Sequence, residues 1–317
     1  MLHPGTLGDV LLAVSAIRKL RVQYPYHETL LMARESVGRL LVACGVINEA
    51  MALEGPASVG LFSHPALLSQ ELRGWFNRCD LAVGWMEDQD GTLRSVFETF
   101  GIARVTIQSP FFPTLRAKHQ RDRFLETLGM EGAVSSEHVI QVPERLVQKG
   151  TAYLETVGVP HGRSLAIVHP GSGSIHKCLS SEKVVSILRL LDRKGFSPIV
   201  LEGPADHDAV ERVLKSVSNK PPILQSPDLT TLAGILAQAT MYLGHDSGIT
   251  HLAALLGIRT IAIFGPTDPL RWAPHGVHVT ILRGAPCNCG SWEAVGQCLE
   301  KSCLRVSQDQ ILAALEA

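Results

Sequence analysis

The chain of 317 residues has few aromatic residues, no excess of one charge, and no apolar run long enough to cross a bilayer. Aromatic residues make up 5% and hydrophobic residues 45% of the sequence. The 29 Lys and Arg residues nearly balance 30 Asp and Glu, and the formal net charge is −1. This balance argues against a nucleic-acid partner, while the apolar content predicts well-formed cores. Because the N-terminus lacks a signal-peptide pattern, we expect a soluble cytoplasmic protein.

Two common phosphate-binding motifs are also missing. The sequence has no Gly-x-Gly-x-x-Gly fingerprint of dinucleotide-binding proteins, which disfavours a nicotinamide oxidoreductase. Lys177 lacks the preceding Gly and following Ser or Thr of a P-loop. An ordinary nucleotide-binding signature therefore does not explain the glycine-rich turns described below.

The number and spacing of the cysteines limit the disulfide and metal sites that the chain can form. Seven cysteines are an odd number, which argues against a disulfide framework. Four of them lie close together near the C-terminus, at Cys287, Cys289, Cys298 and Cys303. Four thiolates can bind zinc, but this spacing is not usual for a structural zinc site. Free or redox-sensitive thiols are the alternative, and we predict no metal site.

Short apolar runs alternate with helical stretches, which favours parallel sheets covered by helices on both faces. The predicted strands are 29–33, 50–53, 81–84, 104–107, 165–169, 198–201, 241–244, 260–264 and 277–282. The predicted helices are 64–76, 92–100, 147–156, 181–194, 205–216, 229–239 and 247–256, besides one near Asp9. A turn-rich stretch at 158–162 predicts a domain boundary, with one α/β domain over 1–157 and another over 158–317.

The most informative motif is Asp246-Ser247-Gly248, which lies between the apolar runs 241–244 and 260–264. This order predicts a strand, a tight turn and a helix N-terminus with free backbone N–H groups, an arrangement that suits a phosphate. We expect Asp246 to cap the helix and Gly248 to admit a ligand close to the backbone. Ordinary helix capping is the alternative interpretation.

A second loop, at 169–177, combines small residues with one cation. Ser172 and Ser174 can donate hydrogen bonds to phosphate oxygens, and Lys177 can neutralise a leaving diphosphate. A solvated turn with a surface lysine is the alternative. A similar His-Pro-Gly-Thr tetrapeptide at 3–6 precedes the first helix, which suggests two Rossmann-like domains with ligand sites at the carboxyl ends of their strands.

Acidic residues supply the remaining candidates. Asp9 begins an amphipathic helix, either as its N-cap or as a general base that accepts a proton from an attacking sugar hydroxyl. At the end of the strand at 198–201, Glu202, Asp206 and Asp208 are candidates to bind a ribose, and capping explains Asp206 equally well. Thr267, in the turn after the strand at 260–264, can reach the same ligand.

Together these segments resemble glycosyltransferase family 9, the bacterial ADP-heptose lipopolysaccharide heptosyltransferases. The matching stretches are 5–12, 169–177, the turn at Gly203, 246–257 and 264–269. The resemblance implies a GT-B fold, with two Rossmann-like, doubly wound parallel-sheet domains facing a central cleft. It also implies an inverting transfer from an ADP-sugar that needs no metal or other cofactor.

Carried over to this sequence, the resemblance implies that Asp9 is the catalytic base and Lys177 the diphosphate-binding catalytic lysine. The implied donor-binding residues are Thr6, Ser172, Gly173, Leu229, Asp246, Ser247, Gly248 and His251. The implied partners are a nucleotide-sugar donor and a lipid-linked or core oligosaccharide acceptor. A donor and an acceptor of these kinds imply a cytoplasmic protein, and we further expect peripheral association at the inner membrane face.

One departure concerns the N-terminus. Family members begin with a full hydrophobic strand before the Gly-Asp motif, whereas only Met1 and Leu2 precede His3 here. Either this strand is short or the chain begins upstream, and a missing central strand would expose sheet edges near Asp9. This leaves a second hypothesis of another class, a non-catalytic homologue that binds a nucleotide sugar.

Overall fold

A computed structural model describes residues 1–111, 118–130, 140–159 and 164–316 of the chain. The chain forms two compact units, Met1–Val134 and Ser135–Ala317. The predicted boundary after residue 157 differs from this division because helix α6, Glu144–Thr156, packs on helix α9, Leu229–Leu236, of the second unit. Two glycines permit the close packing, since a Cβ on Gly150 would lie 2.4 Å from the carbonyl carbon of Gly234.

The first unit is a parallel α/β structure. Its strands are β1 Leu30–Ala33, β2 Glu49–Ala52, β3 Leu81–Gly84 and β4 Arg104–Ile107, and its helices are α1 Leu7–Gln23, α2 Glu35–Ala43, α3 Gln70–Phe76, α4 Thr92–Thr99 and α5 Gln120–Glu126. β1 pairs with β2 and β3 pairs with β4, both in parallel. The helix predicted at 64–76 divides into a 3₁₀ turn, Pro65–Leu67, and α3, which Ser69 caps.

The N-terminal residues join these two strand pairs. The Leu2 amide donates to Val83 O at 2.8 Å, and the His3 amide donates to Met32 O at 2.9 Å. Leu2 is 2% exposed and bridges in parallel to Met32 and Gly84. Residues 1–3 therefore link the two strand pairs through hydrogen bonds and isolated bridges and lead directly into the turn before α1.

The second unit contains one continuous parallel sheet. Its strands are β5 Ser164–His169, β6 Phe196–Glu202, β7 Ile223–Gln225, β8 Met241–His245, β9 Arg259–Ile263 and β10 Val279–Leu282, and its helices are α6, α7 Ser181–Arg193, α8 His207–Lys215, α9 Leu229–Leu236, α10 Gly248–Leu255, α11 Pro269–Trp272, α12 Trp292–Gln297 and α13 Gln308–Glu316. The strand order is β10-β9-β8-β5-β6-β7. β7 was not predicted because its three residues carry too little periodicity to detect.

This strand order fixes where a ligand site is expected in the second unit. From β5 the chain runs outward through β6 to β7, and from β8 it runs in the opposite direction through β9 to β10. β5 and β8 are hydrogen-bonded neighbours, so their carboxyl ends form the topological switch point of the sheet. The loops that follow these two strands are the two loops singled out in the sequence.

The interior of each unit is apolar. One apolar cluster of the second unit is formed by α7, α8 and α13 packed against strands of its sheet, and one of the first by α3 and α4 with residues of β1 and β3. Helices α1, α9 and α10 are also largely buried. Within the described ranges, no helix combines the length and the apolar character that a membrane span requires.

Candidate functional site

In the first unit, Asp9 is held by the turn that begins α1. The N-cap is Thr6, and Asp9 occupies the third helical position. Asp9 Oδ2 accepts hydrogen bonds from the Thr6 amide at 2.9 Å and from the Thr6 hydroxyl at 2.8 Å. The N-cap interpretation of Asp9 is therefore wrong: its carboxylate reaches back over the helix N-terminus as the acidic partner of a capping box.

His3 packs behind this carboxylate. Its Nδ1 accepts a hydrogen bond from the Gly5 amide at 3.0 Å, which places the ring proton on Nε2. Burial lowers the pKa of His3 to about 4, although the nearby Asp9 opposes this shift, so the ring is neutral at pH 7. A Cβ on Gly5 would lie 2.6 Å from His3 Cε1 and 2.7 Å from Asp9 Cβ, so only glycine fits between them.

In the second unit, the loops after β5, β8 and β9 meet at Asp246. Lys177 Nζ lies 2.8 Å from Asp246 Oδ2, and the Thr267 hydroxyl donates to the same oxygen at 2.8 Å. Ser172 Oγ donates to the backbone carbonyl of Asp246 at 2.6 Å. Both ionised side chains are mostly buried, with 20% exposure for Lys177 and 9% for Asp246. Asp246 thus holds the cation in place at the switch point of the sheet.

This arrangement changes the predicted role of Asp246 as a helix cap. Ser247 is the N-cap of α10 and accepts a hydrogen bond from the Thr250 amide, while Gly248 is the first helical residue. The neighbouring His251 is buried within the same helix. Gly173 faces open space, with no heavy atom within 4 Å of a hypothetical Cβ. The loop that carries Lys177 therefore has an accessible backbone at Gly173, and the residue after Asp246 begins a helix N-terminus.

The other predicted residues lie along the same edge of the sheet. Leu229 is half-buried at the first position of α9, two strands away from β5, and no hydrogen bond or ion pair joins it to Lys177 or Asp246. Glu202 ends β6 and pairs with His207 at 3.3 Å. Ser226, which follows β7, has a left-handed backbone with φ 41° and donates its amide to Glu202 O. Such strain in a non-glycine residue is frequent at ligand sites.

Asp206 has a role that the sequence did not reveal. Its side chain does not cap α8 but points inward, where Oδ2 lies 2.8 Å from His169 Nε2 and accepts the Gly203 amide at 2.9 Å. Burial opposes ionisation, yet the hydrogen bonds from His169 and Gly203 hold the pKa of Asp206 below its usual value. His169 Nδ1 lies 3.1 Å from the Tyr242 hydroxyl, which in turn lies 3.1 Å from Thr250 Oγ1. This buried chain of hydrogen bonds connects the loop after β6 to β5, β8 and α10.

His245 holds the loop after β5 in place through both of its ring nitrogens. Its Nε2 accepts the Leu179 amide at 2.9 Å, and its Nδ1 lies 3.3 Å from the Gly171 carbonyl. Burial lowers the pKa of His245 to about 4, so the ring is neutral and can accept one hydrogen bond while donating another. The position of both histidines at the carboxyl ends of adjacent strands was the available sequence signal.

Taken together, the second unit provides a cation and backbone N–H groups of a helix N-terminus at one switch point, which is the chemistry of a diphosphate site. The first unit provides a carboxylate on a rigid turn. Among the described residues, no group of three or more His, Cys, Asp or Glu side chains is arranged to hold a metal ion.

Comparisons with solved structures identify the fold. A glycosyltransferase family 9 structure from Veillonella parvula matches with a TM-score of 0.82 and 18% identity, covering 99% of this chain and 95% of that one. E. coli ADP-heptose lipopolysaccharide heptosyltransferase II matches with a TM-score of 0.79 and 17% identity, covering 99% and 96%. The expected GT-B fold is confirmed.

Sequence comparisons then give the family. The model of glycosyltransferase family 9 (heptosyltransferase) matches residues 102–302, and the chain belongs to this family. Lipopolysaccharide heptosyltransferase 3 of Escherichia coli is 24% identical over 301 residues, which cover 84% of this chain and 83% of that protein. The resemblance inferred from the motifs is thereby confirmed, and family membership makes the protein a transferase.

Proposed function

We propose that this protein is an inverting glycosyltransferase that moves a heptose or a related sugar from ADP-heptose to a lipopolysaccharide core or another surface glycan. The observation that carries this proposal is the buried Lys177–Asp246 pair at the β5/β8 switch point, beside the N-terminus of α10. The similarity to heptosyltransferases supports the choice of donor and acceptor class.

In the proposed reaction, an acceptor hydroxyl attacks the anomeric carbon of the donor sugar. The new C–O bond forms as the bond to the diphosphate breaks, so a single displacement inverts the anomeric configuration. Asp9 takes the hydroxyl proton, and ADP leaves with the bonding electron pair. Lys177 and the N–H groups near Ser247 and Gly248 stabilise the charge that develops on the diphosphate. Ser172 supports this donor site through its hydrogen bond to the Asp246 carbonyl.

The remaining assignments extend this scheme. Gly173 lets the diphosphate approach the backbone, and Thr6 orients Asp9 through its two hydrogen bonds. Asp246, His251 and Leu229 complete the donor site. Leu229 packs beside the adenine base of the donor, and Glu202 binds the ribose. We propose that the chemistry needs no divalent metal or other cofactor, because Lys177 supplies the positive charge. We further propose that the protein works in the cytoplasm, at the inner membrane face where a lipid-linked acceptor lies.

A thermal-shift screen against ADP-, UDP-, GDP- and dTDP-sugars tests the donor assignment. A ligand present at 100 times its Kd stabilises the folded state by about 2.7 kcal/mol, which corresponds to a shift of roughly 5–10 °C for a unit of this size. We expect that shift with the ADP-sugar, and preference for another base would overturn the assignment.

Turnover distinguishes the enzyme from a non-catalytic homologue. ADP release in the presence of extracted lipopolysaccharide core should require the acceptor and should persist in excess chelator. Binding of ADP-heptose without release of ADP on any core or surface-glycan acceptor would favour the non-catalytic alternative. Activity that is lost in chelator and restored by a divalent cation would contradict the metal-free scheme.

A further inference from the structure

The C-terminal segment of residues 284–304, here called the cysteine arm, returns to the point where it starts. The Gly284 amide donates to Cys303 O at 2.8 Å, and the Ala285 amide donates to Ser302 O at 3.2 Å. A Cβ on Gly284 would lie 2.2 Å from Ser302 O, so the two ends approach closely. Helix α12 lies in the middle of this closed loop.

The four cysteines tie the arm together internally. The neighbouring Cys287 and Cys298 thiols raise the pKa of Cys289 to about 11, and burial together with the nearby Cys287 raises the pKa of Cys303, so the four thiols lie near one another. Cys303 is 6% exposed and belongs to the core of the second unit. The arm is therefore an ordered element fixed to the sheet, and its middle is held at a defined position.

That position is beside the candidate diphosphate site. Trp292, the first residue of α12, places its indole ring 5.7 Å from Lys177 Nζ. A Cβ on Gly296, on the same helix, would lie 3.8 Å from His176 Nε2. α12 therefore packs beside the short 3₁₀ turn Ile175–Lys177 that carries the lysine. Trp292 is nevertheless 54% exposed, which leaves much of its surface open.

We propose that Trp292 is a positioning residue that holds the Lys177 ammonium toward the donor diphosphate, an inference that rests on the proposed function. Asp246 binds the ammonium through one ion pair at 2.8 Å, and the indole ring attracts the same cation electrostatically. Because the ring offers only its π-electrons and no strong acceptor atom, the other N–H groups of Lys177 remain available to phosphate oxygens. The cysteine arm thus becomes an element of the donor site.

The test uses ADP as the probe and three variants of the full chain. Trp292→Ala removes the cation–π partner of Lys177. Such an interaction at a partly exposed site has a typical size that predicts a roughly two- to fivefold weaker ADP affinity in isothermal titration. Trp292→Phe retains a ring and should bind ADP within about twofold of wild type. Trp75→Phe is the matched control, because Arg78 lies 4.3 Å over that ring in the first unit.

Tryptophan emission provides a readout that a merely structural role would not change. ADP draws Lys177 toward the diphosphate, so the emission of Trp292 should change as ADP binds. This change should disappear in Trp292→Phe while binding persists, and it should remain in Trp75→Phe. Unchanged ADP affinity in Trp292→Ala, or an emission change that survives in Trp292→Phe, overturns the inference alone. A wild-type chain that binds no ADP overturns the proposed function, and this inference with it.

Discussion

The candidate residues of the two units are positioned in different ways. In the first unit, Asp9 is held entirely by its own turn, because its hydrogen bonds come from Thr6, three residues earlier. In the second unit, Lys177 and Asp246 meet across 69 residues of sequence, and Ser172 reaches Asp246 across 74. The first arrangement forms with a single helix turn, whereas the second exists only when three parallel strands are assembled.

This difference separates two kinds of function. If the proposed mechanism is correct, a change at Asp9 affects the proton transfer and leaves the second unit intact. A change at Lys177 affects the donor site and leaves the capping box intact. The predictions below test whether these two effects are independent, beginning with the largest.

Asp9→Asn should have the largest effect. The amide cannot accept a proton, so we expect transfer to fall on the order of 10²- to 10⁴-fold, the usual contribution of a general base. ADP affinity should stay at the wild-type value because no hydrogen bond of the second unit changes. The measurements are ADP release and isothermal titration with ADP. Asp88→Asn is the control, since Asp88 also caps a helix of the first unit, accepting from the Leu93 amide at 3.0 Å. Near-normal transfer in Asp9→Asn would remove Asp9 from the mechanism.

Acid should destabilise both units through one neutral histidine in each. Burial lowers the pKa of His3 and of His245 to about 4, from an ordinary value of 6.5. Below pH 6.5 these histidines are protonated in the unfolded chain but stay neutral in the folded chain. Their contribution to the free energy of unfolding is therefore fully present above that pH and is lost as the pH falls toward 4. The loss amounts to about 3 kcal/mol for each histidine.

Urea unfolding at several pH values measures this loss. His3→Gln and His245→Gln should each flatten part of the pH dependence, because an amide does not titrate. Each variant reports on its own unit and so distinguishes the two contributions. An unfolding free energy that does not change between about pH 7 and about pH 4.5 would contradict the neutral assignment of both rings.

Lys177→Met should weaken ADP binding while leaving Asp9 unaffected. Losing charge-assisted hydrogen bonds to the diphosphate predicts roughly 10- to 100-fold lower affinity. The substitution also leaves Asp246 buried without its cation, so Lys177→Met with Asp246→Asn separates lost binding from lost stability. Lys183→Met, in the first turn of α7, is the control for removing a nearby positive charge. Wild-type ADP affinity in Lys177→Met would place the diphosphate elsewhere.

The same contrast explains how much could be predicted from sequence. Every described strand except β7, most of the helices and the family are predicted from sequence, because alternating apolar runs and short motifs are local signals. The resemblance assigns Lys177 and Asp246 to one donor site, but their direct ion pair is not predicted from sequence, because the order β8-β5 is needed to show that the two loops are neighbours. His169, Asp206 and Tyr242 were missed as a network for the same reason. Trp292 is not predicted either, since it contacts Lys177 from more than 100 residues further along the chain.

Matched threonines provide the finest test, with the smallest expected effect. Thr6 and Thr267 each donate one hydroxyl hydrogen bond at 2.8 Å to a candidate carboxylate, Asp9 and Asp246 respectively. Replacing either by Val removes one bond and preserves shape, at a cost of about 0.5–1.5 kcal/mol. Thr6→Val should lower kcat and leave ADP affinity unchanged, because the lost bond holds Asp9 and not the donor site. The decrease in kcat should be small, because the Thr6 amide still donates to Asp9.

Thr267→Val should instead weaken ADP affinity, because Asp246 then holds Lys177 less firmly. Its effect should also exceed that of Thr6→Val, since Thr267 is half-buried and Thr6 is exposed to water that replaces the lost bond. Steady-state kinetics and ADP titration on both variants separate the two outcomes. If both threonines change the same parameter, the two carboxylates do not act independently, and the distinction between a local base and an assembled donor site does not hold.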